Sequence, residues 1–170
     1  MKRLASLAPL LLLATGLLSG CGLQPLYSGG GSGAVATALT RIEVAPIEGK
    51  SGWLMANALN DRLAAGKTTP LYRLEVKLED KISGLGVRAD NSVARERRTL
   101  RARYQLVDLA NGTVLLDATA GSDAGIDVVG SEYATIAAEN TMLERLSGIV
   151  ADQIVSRIAL YDRRTTPKTP

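Results

Sequence analysis

The side chains that could carry out catalysis are few in this 170-residue chain. Histidine is absent, and Cys21 supplies the only thiol. These facts exclude Ser-His-Asp and Cys-His nucleophiles and imidazole metal sites. Carboxylates remain near expected strand ends and turns, where a solvated or turn-forming role is the ordinary interpretation. They are Asp80, Asp90, Asp108, Asp117, Asp123 and Asp127. We therefore expect no enzymatic activity, no metal and no cofactor.

Cys21 is suited to chemistry of another kind. Leu18, Ser19 and Gly20 precede it, as small residues precede the acceptor cysteine of a bacterial lipobox. Further upstream, a positive start and an apolar run of Leu and Ala form a secretory signal that is too short to span a bilayer comfortably. We therefore expect residues 1–20 to be removed. A diacylglyceryl group and an N-acyl chain on Cys21 would then anchor the protein to a membrane.

The remaining chain divides into a tether, one domain and a tail. Residues 21–39 include the run Ser-Gly-Gly-Gly-Ser-Gly, whose composition favours a flexible linker. Residues 40–162 suit a single domain with one hydrophobic core, and residues 163–170 are expected to be a disordered tail. Removal of residues 1–20 leaves 18 basic against 17 acidic residues, a formal charge of +1. This balance does not suggest a nucleic-acid-binding surface.

Six arginines lie between the second and third expected strands and within the third. This arginine cluster consists of Arg88, Arg95, Arg97, Arg98, Arg101 and Arg103. Strand alternation turns four of them away from Leu100 and Tyr104. These four are Arg95, Arg97, Arg101 and Arg103. Because a planar guanidinium suits bidentate phosphate recognition, the cluster could bind phosphorylated glycolipid headgroups. The structural alternative is cross-strand pairing with Glu75 and Glu79, or a charged edge that discourages other strands.

Four segments have the alternation of strands. Residues 41–46 predict the first strand, residues 72–79 the second and residues 100–106 the third, each with apolar side chains on one face. A fourth begins at Val114. Asn111-Gly112 precedes it and predicts a hairpin with a type I′ turn, since both residues tolerate a positive φ.

Two helices are expected beside these strands. Ser51 is a plausible N-cap for the first, and Gly66 a plausible end. The second begins after Ser131, and its long apolar stripe extends to Tyr161. The order β-α-β-β-β-α predicts an α+β fold, an α/β two-layer sandwich. We expect a four-stranded, mostly antiparallel sheet with two helices packed on one face and a charged surface on the other.

The N-terminal segment also carries a family resemblance. Residues 21–27, Cys-Gly-Leu-Gln-Pro-Leu-Tyr, resemble the Cys-Gly-Phe-x-Pro-Leu-Tyr start of alphaproteobacterial LptE, the lipopolysaccharide (LPS) assembly lipoprotein. Leu23 departs from the usual Phe, a change that concerns membrane contact beside the anchor. Further similarity covers essentially all of the mature domain. It lies in residues 72–76, 102–108, 131–134 and 154–161.

The resemblance implies a non-enzymatic, lipid-anchored protein on the periplasmic face of the outer membrane. Gly22, rather than Asp, follows the cysteine, and this agrees with outer-membrane localisation. Such a protein would be required for assembly of the β-barrel LptD and for delivery of LPS, would act as a plug in the barrel, and could contact LPS itself. The alternative is an auxiliary lipoprotein subunit of another envelope transport complex.

Overall fold

A computed structural model of the chain describes residues 34–64, 68–87, 93–128 and 130–165. The lipobox, Cys21, Gly66, Arg88 and Asp90 lie outside these ranges. The strands are β1 Ile42–Val44, β2 Tyr72–Val87, β3 Val93–Asp108 and β4 Val114–Asp127. The helices are α1 Ala34–Leu39, α2 Gly49–Leu63 and α3 Glu132–Thr165.

The four strands form one mixed sheet in the order β1-β2-β3-β4. β1 runs parallel to β2, while β2 with β3 and β3 with β4 are antiparallel. The expected four-stranded, mostly antiparallel α+β sheet is confirmed. β1 pairs only with the first three residues of β2, so the 16-residue strands β2 and β3 dominate the sheet.

The helices cover one face of this sheet because the strands alternate. Even-numbered positions of β2 and β3 supply buried Leu74, Leu100 and Tyr104, while their odd-numbered neighbours face away. The apolar stripes of α2 and α3 pack on this layer. The buried helix side chains include Met55, Leu59, Leu63, Leu143, Leu146, Val150, Ile154 and Ile158. None of the described helices is long and apolar enough to cross a membrane.

The folded region starts earlier than residue 40. α1 lies within the expected tether, and Leu39 is buried in the core while Val35 packs against it. At the other end, α3 continues through residues 163–165, where a tail is expected, and Thr165 Oγ1 donates to the Tyr161 carbonyl at 3.0 Å. Residues 34–39 join the domain because α1 covers apolar surface of the core. Residues 163–165 join it because they continue the hydrogen bonding of α3.

The ends of α2 differ from the prediction. Glu48 is the N-cap, so Ser51, the predicted cap, lies inside the helix. Its C-cap is Ala64, in the left-handed region with a φ of 50°, and not glycine. The chain folds back closely before α2: a Cβ added at Gly52 would lie 2.5 Å from the Ile47 carbonyl oxygen.

The β3–β4 hairpin is present, but its turn is not type I′. Gly112 has a φ of 73°, whereas Asn111 does not have a positive φ. The Asp108 N–H donates to the Thr113 carbonyl at 2.9 Å, and the Gly112 N–H donates to the Asp108 carbonyl at 2.8 Å. The loop is therefore longer than two residues, and the register shifts at Leu106 and Val107 accommodate it.

Candidate functional site

Four arginines of the cluster lie together on the outer face of β3. They define the arginine face, formed by Arg95, Arg97, Arg101 and Arg103, all exposed. The structure places them within a regular strand and not in a connection between strands. The prediction missed this because Glu96 and Arg98 occupy inward positions of β3, where polar side chains interrupt the alternation.

Aspartates of β4 pair with most of the arginine face. Arg95 lies 3.0 Å from Asp127 and Arg97 lies 3.6 Å from Asp123. Arg103 Nη2 lies 3.0 Å from an oxygen of Asp117. The predicted partners, Glu75 and Glu79, form none of the described ion pairs. In the register, Glu75 lies opposite Gln105 and Glu79 opposite Arg101. Cross-strand pairing of the arginines is therefore present, but the partners are aspartates of β4 and not the predicted glutamates of β2.

Within this ladder, two side chains of β3 share Asp117. It accepts hydrogen bonds from Arg103 and from Gln105 Nε2, the latter at 2.8 Å. These bonds, first that of Arg103, lower the pKa of Asp117, while the same contact raises the pKa of Arg103. Asp117 therefore stays charged to a lower pH than an aspartate without these partners. Its expected role at a turn or strand end is replaced by cross-strand pairing.

Arg101 has a different environment. Within the described part of the chain, it alone of the arginine face forms no ion pair. It lies opposite Gly121, where an added Cβ would be 3.2 Å from the Arg101 Cγ. A depression of about 700 Å³ opens here, and its lining includes three cationic side chains, Lys77, Arg101 and Arg103, and two carboxylates, Glu79 and Asp123. The depression can accept an anion with several oxygens, because Arg101 keeps its donors available.

Arg98 points in the opposite direction, towards the helices. Its Nε and Nη2 donate to the two oxygens of Asp80 at 2.9 and 2.7 Å, and its Nη1 donates to the Glu139 carbonyl at 2.9 Å. The side chains of Arg98 and Asp80 are only 10% and 19% exposed. Arg98 therefore ties β3 to β2 and α3 rather than sharing the outer face, and Asp80 lies inside a strand and not at a turn.

A pair of carboxylates near Arg98 escaped the sequence prediction. Glu96 Oε2 is buried and has no hydrogen-bond partner among the described residues. Burial chiefly, and then the neighbouring carboxylate of Glu139, raise the pKa of Glu96. The two carboxylates can hydrogen-bond to each other only when one carries a proton. No local pattern could reveal this pair, because the partner comes from a distant helix.

No group of three or more metal-ligating side chains occurs within the ranges that the structure describes. The site is thus an exposed ladder of charge on one face of a sheet whose other face is covered by helices. This arrangement suits binding and assembly, since its donors lie on a broad surface. The fold and the site define a small α+β domain with a charged outer face that is suited to binding.

The comparisons with known proteins identify that class more closely. The model of the LptE family, lipopolysaccharide-assembly, matches residues 39–158. The chain belongs to the LptE family. This family consists of non-enzymatic lipoproteins. Membership indicates a general role in LPS assembly and a membrane-anchored location in the cell envelope. No curated protein matches the chain.

Solved structures share the fold. A putative lipoprotein from Caulobacter crescentus CB15 is 26% identical with a TM-score of 0.68, over 79% of this chain and 99% of that one. An uncharacterized lipoprotein B from Nitrosomonas europaea is 14% identical with a TM-score of 0.55, over 72% and 82% of the two chains. The rare lipoprotein B from Shewanella oneidensis is 12% identical with a TM-score of 0.52, over 72% and 95%. The last two likenesses concern the fold alone.

Proposed function

We propose that this protein is an outer-membrane lipoprotein, anchored at the periplasmic face through lipid on Cys21. It works with the LptD barrel, which it helps to assemble and within which it acts as a plug, and it takes part in delivering LPS. Its arginine face contacts the phosphates of LPS. Family membership supports the pathway, and the arginine face is the observation that carries the proposed contact.

The outer face of the sheet is compatible with the interior of a barrel. Barrel interiors are polar, so a plug needs a surface of charged and hydrogen-bonding groups. Arginines of β3 and aspartates of β4 supply both signs of charge in adjacent rows. The opposite face is committed to the hydrophobic core, which leaves the charged face available to a partner.

Phosphate recognition rests on Arg101 and its neighbours. Exposed ion pairs contribute little stability and can exchange partners, so Arg97 and Arg103 can turn from aspartate to a phosphate. Arg101 needs no such exchange. Lys77 and Arg103 lie beside it along the same depression, so one phosphate would meet more than one cation.

Charge reversal tests the contact. The change is Arg95→Glu, Arg97→Glu and Arg101→Glu together in the lipidated mature protein. We expect LPS affinity to fall at least about tenfold, because each lost charge-assisted bond contributes on the order of 1 kcal/mol or more. Binding is measured by titration with purified LPS, and circular dichroism checks the fold.

The matched control reverses three exposed arginines of α3, namely Arg145, Arg163 and Arg164. It changes the net charge equally but leaves the arginine face intact. It should bind LPS almost as well as the unmodified protein. Equal loss in both variants, or undiminished binding after reversal of the arginine face, would contradict the proposed contact.

A further inference from the structure

A cavity of about 400 Å³ lies at one end of the domain, beside the last residues of β3. Arg95, near the start of β3, lies at the other end. α1, β1, the start of β2, the end of β3, the start of β4 and the end of α3 surround the cavity. Its apolar wall includes Leu39, Ile42 and Ile158, which are buried, and Leu115, which is half-buried. Asp108 lies at its polar rim. This space therefore offers apolar contact with a polar border.

The exposed surroundings of this cavity are also apolar. Leu71, which precedes β2, and Val114, which begins β4, are exposed large hydrophobic residues. The sheet register brings both to this end, since Tyr72 pairs with Asp108 and Val107 pairs with Val114. An apolar group that enters the cavity would therefore cover Leu71 and Val114 as well.

An apolar segment of the chain lies close in sequence to this cavity. Residues 23–27, Leu-Gln-Pro-Leu-Tyr, lie outside the described residues and only six residues before α1. The last residues of α1, Ala38 and Leu39, line the cavity. A linker of six Gly and Ser residues has a root-mean-square reach of about 12–15 Å, and at most about 20 Å when extended. The segment can therefore reach the cavity without moving any element of the domain.

We propose that residues 23–27, which we call the anchor segment, dock into this cavity. Leu26 and Tyr27 enter the apolar space, and Pro25 lowers the conformational entropy lost on ordering because its φ is already restricted. The cavity volume suits about two large side chains, since a buried residue of this size occupies on the order of 150–200 Å³ at normal packing density. Gln24 stays in solvent.

Docking would fix how the domain stands on its membrane. With the anchor segment bound, only Gly22 would separate the lipidated cysteine from the domain, in place of a long linker. The end formed by α1 and the last turn of α3 would then face the membrane. Arg95 lies thirteen residues along β3 from Asp108, or about 40 Å away. This inference does not depend on LPS binding by the arginine face.

Hydrogen exchange measured by mass spectrometry tests the docking on the mature chain. It is followed in the lipidated protein in phospholipid vesicles and in the Cys21→Ser variant, which carries no lipid. We expect amides of residues 23–27 to exchange at least about tenfold more slowly than in a peptide of the same sequence. Leu26→Ser with Tyr27→Ser should abolish this protection and speed exchange at residues 109–115 by a similar factor.

Two further variants sharpen the result. Gln24→Ser is the matched control within the segment and should change neither signal. Leu115→Arg alters the cavity and should release residues 23–27 while α2 keeps its slow exchange. Free-peptide exchange of residues 23–27 in the unmodified chain would overturn the proposal. Protection lost with Cys21→Ser would assign the cavity to an acyl chain instead, and protection that depends on protein concentration would assign it to a second copy.

Discussion

Arg98 occupies a position where the alternation of β3 would place an apolar side chain. The sequence alone suggests a role like that of its arginine neighbours, because position 98 lies in the same basic run. Its direction depends on the strand register: it points to the helices, where Asp80 and the Glu139 carbonyl accept its hydrogen bonds. The sequence did not show which face of the sheet carries Arg98, because the predicted strand began at residue 100 and β3 begins at Val93.

Arg98→Ala should lower the free energy of unfolding by about 2–3 kcal/mol, because it leaves Asp80 and a helix carbonyl without their donors. Urea unfolding of the mature chain, followed by circular dichroism, measures the change. Arg103→Ala, which removes an exposed ion pair, is the control and should have little effect. A smaller loss for Arg98→Ala than for Arg103→Ala would show that the inner pair is not structural.

Glu96 should make the stability of the folded protein depend on pH. The pKa of Glu96 is raised in the folded protein. The stability that this carboxyl contributes is therefore fully present at acidic pH, below the pKa that Glu96 has in the unfolded chain. That contribution is lost as the pH rises through the raised folded pKa, where Glu96 becomes charged beside Glu139. Glu96→Gln should therefore raise the melting temperature by about 1–3 °C at pH 7 and by less at pH 4.

Melting curves of the variant and the unmodified protein across this pH range measure the effect. Glu144→Gln, at an exposed position of α3, is the control and should shift the melting temperature little at either pH. A Glu96→Gln advantage that grows towards acidic pH would have the wrong sign for a carboxyl whose pKa is raised.

Among the elements, the central strands and the two long helices follow directly from periodicity. Val76 and Tyr104 alternate with polar or charged residues, and the apolar residues of α3 recur at helical spacing. The sequence therefore predicts which face each of these elements buries. The boundaries were less predictable. Polar residues at inner positions hid the length of β2 and β3, and α1 is too short for its periodicity to be recognised. The N-cap of α2 is Glu48, beside the close approach of Gly52 to Ile47, and no sequence pattern indicates that approach.

Gly52→Ala tests this contact between α2 and the preceding loop. We expect a loss of about 1–3 kcal/mol in the free energy of unfolding, because the new Cβ would overlap the Ile47 carbonyl. Gly148→Ala is the matched control in α3. Its Cβ would lie 3.5 Å from Arg62 Nη2, an ordinary contact, and alanine favours a helix by up to about 1 kcal/mol. Thermal unfolding that shows equal losses for the two variants would contradict the close approach.

For the whole molecule, the two-layer plan follows from the order of elements, and the charged outer face follows from strand alternation. The partners of the arginines did not follow, because Asp117, Asp123 and Asp127 come from β4 and meet β3 only through its register. The Glu96 and Glu139 pair required the position of α3 over the sheet. Sequence periodicity therefore predicted layers and faces, while pairs between distant elements required the fold.

The central claim is that this LptE-family protein works with an outer-membrane barrel in LPS assembly. The most direct measurement is affinity purification of the tagged, lipidated protein from detergent-solubilised envelopes, with its partners identified by mass spectrometry. We predict that LptD co-purifies in a ratio near one to one. Recovery of an inner-membrane transporter without LptD would contradict the claim and favour an auxiliary subunit of another transport complex.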